Sequence, residues 1–211
     1  MQNLIVNQIQ NHGFKISNGI AQDATFIDTD PGHKKVNTPR GDEAKTRRSR
    51  DGTFAKKYNR THFGFKAHTA VETNNTFIIR TDVTTAKVHD SRIDLSTEGE
   101  VVYRDKGYAG TEPNAHDTIM AKGARGRKLS IREELRNKRI GKKRNQVERP
   151  YGFMKCVMNA GHVLVTTVDR VRVKVNMACL AYNVIHLRNL ICGTKKQKKQ
   201  SKAIKNSWGI A

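Results

Sequence analysis

Residues 61–83 constrain the fold more than any other stretch. Phe63, Phe65 and Ala67 alternate with polar residues, Glu72-Thr-Asn-Asn interrupts, and Thr76-Phe-Ile-Ile-Arg-Thr-Asp-Val then resumes a β-type composition. Alternation with a period of two on both sides of a polar turn specifies an antiparallel hairpin. Ahead of it, residues 20–27 read as another strand, with Asp23 in its middle. An acid there is notable, because carboxylates are depleted in strands and costly to bury. Behind it, residues 100–104 read as a short buried strand ending at Asp105 and halted by Gly107. In an α/β fold that edge of a strand is where ligands gather.

Helical patterns surround these strands. Leu4, Ile5 and Ile9 are helically spaced before Gly13, Ser130 and Glu133 form a capping-box pattern, and residues 175–191 are mostly apolar, with Ala178, Ala181, Val184 and Ile185 as core candidates. Residues 90–95 read as a short helical stretch, and residues 163–168 are β-like. The fold class is therefore α/β, and the absence of a clean linker indicates one core within 211 residues.

Charge is unevenly placed. The formal net charge is +21, far beyond what solubility requires, and it implies a polyanionic partner, nucleic acid first. Ten Lys/Arg against three acids fall in residues 31–60, eleven against two in 122–144, and six against none in 195–211. The first of these segments reads as a basic insertion after the first strand. No run approaches the apolar length of a membrane span and no signal peptide is evident, so an intracellular protein without a membrane partner is expected. Cys156, Cys179 and Cys192 lack paired spacing and read as small core residues in a reducing compartment.

One carboxylate, Glu148, lies inside the stretch Arg144-Asn-Gln-Val-Glu-Arg-Pro-Tyr-Gly-Phe-Met-Lys155. On a continuous helix Arg144, Glu148 and Lys155 would share a face, with Tyr151 close by; a solvated ion pair explains that spacing equally well. If Pro150 begins the helix instead, the shared face is lost. Together with Asp23 and Asp105, Glu148 completes a set of acids on three separate elements. Carboxylates gathered in this way suit Mg²⁺ or Mn²⁺, and two such ions serve phosphodiester chemistry. Asp28 and Asp30 are alternatives to Asp23, and Asp105 also suits a turn. His62, His68 and the pair His89-Asp90 read as structural residues.

Several pieces in order, Asp23-Ala-Thr, His62-Phe-Gly-Phe-Lys-Ala-His68, Thr85-Ala-Lys-Val-His-Asp90, Asp105-Lys-Gly-Tyr-Ala-Gly110 and Val147-Glu-Arg-Pro-Tyr-Gly-Phe-Met-Lys155, resemble the DDE transposases of the insertion-sequence four/five group. The resemblance implies a ribonuclease-H-like mixed sheet flanked by helices over residues 20–192, a helical remnant in 1–19 and a basic disordered tail in 193–211. It implies Asp23, Asp105 and Glu148 as catalytic acids and metal ligands, two Mg²⁺ or Mn²⁺ ions, and DNA contacts at Arg144, Tyr151, Lys155 and Lys106. The family signature of Tyr, Arg, Glu and Lys is matched at Arg144, Glu148 and Lys155, whereas Gly141 stands where the Tyr belongs. The activity implied is cleavage and strand transfer at element ends, with DNA ends and target as partners, a homodimer in the synaptic complex, and a cytoplasmic, nucleoid-associated location. The resemblance is to an N-terminally truncated member of that group, and an inactive transposase remnant and a non-enzymatic basic nucleic-acid-binding protein are the alternatives.

Overall fold

A computed structural model describes residues 2–32, 49–108, 110, 112–123 and 128–207, with side chains from residue 6 to residue 193 of that set. Most of the expected basic insertion, residues 33–48, lies outside the described residues. The elements in order are α1 (Gln2–Asn11), β1 (Gly19–Thr29), β2 (Thr53–Lys57), β3 (Arg60–Glu72), β4 (Ile78–Thr85), β5 (Val101–Arg104), β6 (His116–Ile119), α2 (Ile131–Arg144), α3 (Glu148–Val157), β7 (His162–Val163) and α4 (Val168–Ser207). Three 3-10 turns, Asp90–Arg92, Lys106–Tyr108 and Asn145–Val147, join them. The first replaces the short helix expected over residues 90–95.

The expected hairpin forms from β3 and β4, antiparallel, with Ala67 opposite Val83. On its other side β3 pairs antiparallel with β1, which places Asp23 opposite Thr69. β5 runs parallel to β1, and β6 parallel to β5. The sheet is therefore mixed, in the order β4-β3-β1-β5-β6, with β2 and β7 extending β3 and β1 at their ends. Helices pack on it, and this α/β arrangement is compatible with the expected ribonuclease-H-like fold. Among the described residues, no helix is long and apolar enough to cross a membrane.

Side chains alternate across the sheet and give each face its own core. Ala21, Ile27, Phe65, Ala67, Val71 and Val83 pack against Val147, Tyr151 and Met154 and against Val171, Val175, Ala178, Cys179 and Tyr182 of α4. On the opposite face Ile20, Ala70, Ile79 and Val102 form a smaller cluster. The α4 stripe follows the 3.6-residue period. Its phase is set by Tyr182 and His186, which hydrogen bond to the β3–β4 turn at Thr76 and Asn75. Val184, expected in the core, consequently faces outward at 55% exposure. Of the cysteines only Cys179 is buried; Cys156 and Cys192 are exposed, and all three are free thiols.

Two capping devices hold the loops. The buried Glu72 carboxylate accepts hydrogen bonds from Ser17 Oγ (2.6 Å), Asn74 N (2.5 Å) and Asn75 N (2.7 Å), closing the β3–β4 turn. At α2 the Ser130–Glu133 capping box is present.

Gly64 marks a change of partner. β3 pairs with β2 over residues 60–64 and with β4 from Phe65, while its pairing with β1 ends at Gly64. There φ is +146°, and a Cβ would meet the Ile27 carbonyl oxygen at 2.3 Å. Only glycine fits so close an approach.

Candidate active site

Asp23 lies on the sheet face that receives α3, at the middle of β1. Its carboxylate is 22% exposed. Burial raises its pKa from 3.8 to about 6, and the negative charge of Asp105 pushes the same way; the Ala24 amide, Arg144 and Lys57 oppose it. The raised value shows that the nearby positive charge does not fully compensate for lost hydration.

Arg144 connects this acid to the opening stretch of α3. One guanidinium nitrogen donates to Asp23 Oδ2 at 3.1 Å, and the other lies 3.5 Å from Glu148 Oε1. Pro150 does not disturb the pair. The Asn145–Val147 turn keeps right-handed backbone angles between α2 and α3, and Pro150 falls in the first turn of α3, where its missing N–H is tolerated. The i,i+4 relation is therefore preserved, although Glu148 itself is 62% exposed.

Asp105 follows β5 directly and accepts a hydrogen bond from Gly107 N at 2.7 Å. Beneath it the buried Arg104 pairs with Asp117 of β6 at 2.7 Å and lies 5.2 Å from the Tyr108 ring centroid. That brace fixes the end of β5. Among the described residues, no three His, Cys, Asp or Glu side chains converge into a ready cation cage; Arg144 stands between Asp23 and Glu148 instead.

The expected DNA-contacting residues separate. Arg144 lies at the acids, and Lys106 is exposed beside Asp105. Tyr151 faces inward: it is 8% exposed, donates to the Asp23 carbonyl oxygen at 2.6 Å and accepts from Thr69 Oγ1 at 2.8 Å. It pins α3 onto β1 and β3 at the register of Asp23. Lys155 does not share the Arg144–Glu148 cluster. Its pKa is lowered, first by burial, then by the like charges of Lys57 and Arg60, with Asp28 opposing.

Asp28 is occupied elsewhere, by His62 Nδ1 at 2.8 Å and Arg60 at 3.6 Å, so it is braced by β3 rather than aimed at the Asp23 site. His62 also stacks on Phe26 at 4.2 Å. Asp90 pairs with Lys66 at 2.7 Å, and His68 is buried beside Thr84. Each of these side chains is thus engaged within the fold.

The charge of residues 122–144 takes a shape that no local sequence pattern signals. Between α2 and the β5–β6 edge lies a groove of about 570 Å³, lined by Tyr103, Thr118, Arg136, Arg139, Lys142 and Lys143. Among the described residues its lining contains no carboxylate.

Residues 16–184 match the family described as "Transposase DDE domain". The chain is also 28% identical to the transposase for insertion sequence element IS1106 of Neisseria meningitidis serogroup B, over 72% of this chain and 59% of that one. It thus spans about three fifths of the length of that curated relative. No solved structure matches.

Proposed function

The chain belongs to the transposase DDE domain family, and on that premise we propose that residues 20–192 form the catalytic domain of an insertion-sequence transposase. The reaction is phosphodiester exchange. Water attacks a phosphorus at the element end and its P–O3′ bond breaks; the freed 3′-hydroxyl then attacks a phosphorus of target DNA, displacing that strand's 3′-oxygen. The observation that carries this reading is the half-buried mid-strand Asp23, linked through the Arg144 guanidinium to Glu148.

Asp23, Asp105 and Glu148 offer only oxygen donors, which suit a hard divalent cation. The Asp23 pKa is raised first by burial and also by the Asp105 charge, and a divalent cation would offset both, so the donor chemistry of these residues fits Mg²⁺ or Mn²⁺. Bound there, two such ions would supply activation of the attacking oxygen and stabilisation of the leaving one. The protein's own groups do the rest. Tyr151 fixes the β1 backbone at Asp23, Arg144 presents donors to a phosphate oxygen, and the α2 groove holds the DNA backbone by charge. Lys106 and Lys155 add cations on either side. A homodimeric synaptic complex acting on element ends and target within the nucleoid completes the reading.

Glu148→Gln and Asp105→Ala should each abolish Mg²⁺-dependent nicking of element-end DNA while duplex binding stays within about threefold, a difference too small to reflect weakened phosphate neutralisation. Full nicking by either variant would sink the assignment. Divalent-ion titration separates the catalytic reading from the two alternatives: an inactive remnant or a mere nucleic-acid-binding protein would bind DNA without metal-dependent nicking at any concentration.

A further inference from the structure

Beyond Gly64, β3 leaves β1 and continues with β2 as a two-stranded ribbon, Thr53 opposite Gly64 through Lys57 opposite Arg60. The ribbon ends in a two-residue turn, Tyr58-Asn59. Tyr58 is 89% exposed and has φ +53°. Two-residue hairpin turns favour glycine, asparagine or aspartate where φ is positive, because a side chain strains the backbone there. A large aromatic at this position opposes both backbone preference and burial. Strain retained without a packing return points from the structure to a use outside it.

The surroundings indicate what that use is. Lys56, Lys57 and Arg60 flank the ring in sequence, and Arg60 reaches Asp28 only at 3.6 Å. β3 runs from this ribbon straight into its pairing with β1, where Gly64 lies opposite Asp28 and Thr69 opposite Asp23. The tip is therefore an exposed ring between cations, carried on the strand that also flanks Asp23. An unpaired nucleotide has the complementary form, a base with a free face between two phosphates. In an intact duplex that face is covered by neighbouring bases.

We propose that Tyr58 stacks on an unpaired base of DNA held at the Asp23 site, with Lys56, Lys57 and Arg60 on the adjoining phosphates. This rests on the transposase reading. It adds a positioning residue, one that discriminates opened from fully paired DNA.

The test uses the full chain without divalent ions and two probes, a paired duplex and the same duplex with an unpaired single-stranded fork. Tyr58→Ala should lose about five- to hundredfold in affinity for the fork, the range for one base–aromatic stack, and less than about twofold for the duplex. Tyr58→Trp should restore fork binding. Tyr58→Gly should lose as much as Tyr58→Ala although it relieves the turn and raises resistance to urea, which separates binding from folding. Equal losses on both probes, or none while the wild type binds both, would overturn this inference and leave the transposase reading intact. Failure of the wild type to bind either probe in a salt-sensitive manner would overturn both.

Discussion

Replacing Asp23 by Asn should make the metal-free protein more stable at neutral pH, and by an amount that grows with pH. Burial lifts the Asp23 pKa from 3.8 to about 6. The folded chain therefore holds the Asp23 proton more tightly than the unfolded chain. Its favourable contribution is complete below the unfolded value and is lost as pH rises through the folded one. A displacement of this size corresponds to about 3 kcal/mol, of which about 2 to 3 kcal/mol falls between roughly pH 4 and pH 7.5. Urea unfolding of both proteins across that window, in chelator, gives the stability difference directly. Groups common to both proteins cancel, and the attraction of Arg144 for the ionised carboxylate is already contained in the folded-state pKa. The variant's advantage should widen by that amount as pH rises; a difference independent of pH would refute the account of Asp23. The buried His68 supplies an opposed control. Burial lowers its pKa from 6.5 to about 4, so its stabilising contribution is full above 6.5 and is lost as pH falls. The two slopes run against each other in the wild type, and Asp23→Asn should therefore unmask a stability that rises from acid to neutral pH.

Two other perturbations probe the frame and the surface. Gly64→Ala should cost about 3 kcal/mol or more in urea unfolding, since a methyl would sit 2.3 Å from the Ile27 carbonyl oxygen and must displace strand backbone; a loss below about 1 kcal/mol would mean that β1 and β3 do not approach so closely. Arg139→Gln with Lys143→Gln should reduce the slope of log affinity against log salt for duplex DNA by about 0.9 for every phosphate no longer neutralised, and an unchanged slope would remove the α2 groove from the DNA path.

Much of this site is legible in the sequence, because each acid violates a local expectation. Asp23 interrupts a strand, Asp105 ends one, and Glu148 stands alone among cations. The β3–β4 hairpin is equally visible, since its apolar positions alternate and its turn is polar. Other features depend on pairing between distant residues. Tyr151 reads as a surface neighbour of Glu148, but its hydroxyl completes hydrogen bonds with Asp23 and Thr69 on two different strands. Lys155 matches a spacing in the chain, yet its charged neighbours are Asp28, Lys57 and Arg60. The strand β6, His-Asp-Thr-Ile, has no apolar signature of its own and is held by parallel pairing and by the Arg104–Asp117 ion pair. β2 is hidden for a similar reason: its pairing depends on the geometry at Gly64.

The 13 residues of β3 join the Tyr58 ribbon and the Asp23 register without an intervening loop. That continuity limits how a lineage of such proteins can change. Substitutions at the ribbon tip leave Thr69 opposite Asp23, so the end proposed to meet DNA can be altered one side chain at a time. Insertion or deletion of a single residue between the two would reverse every following side chain across the sheet, turning Thr69 away from Tyr151. Variation at the tip should therefore accumulate as changes of residue type, while the length of the strand stays fixed.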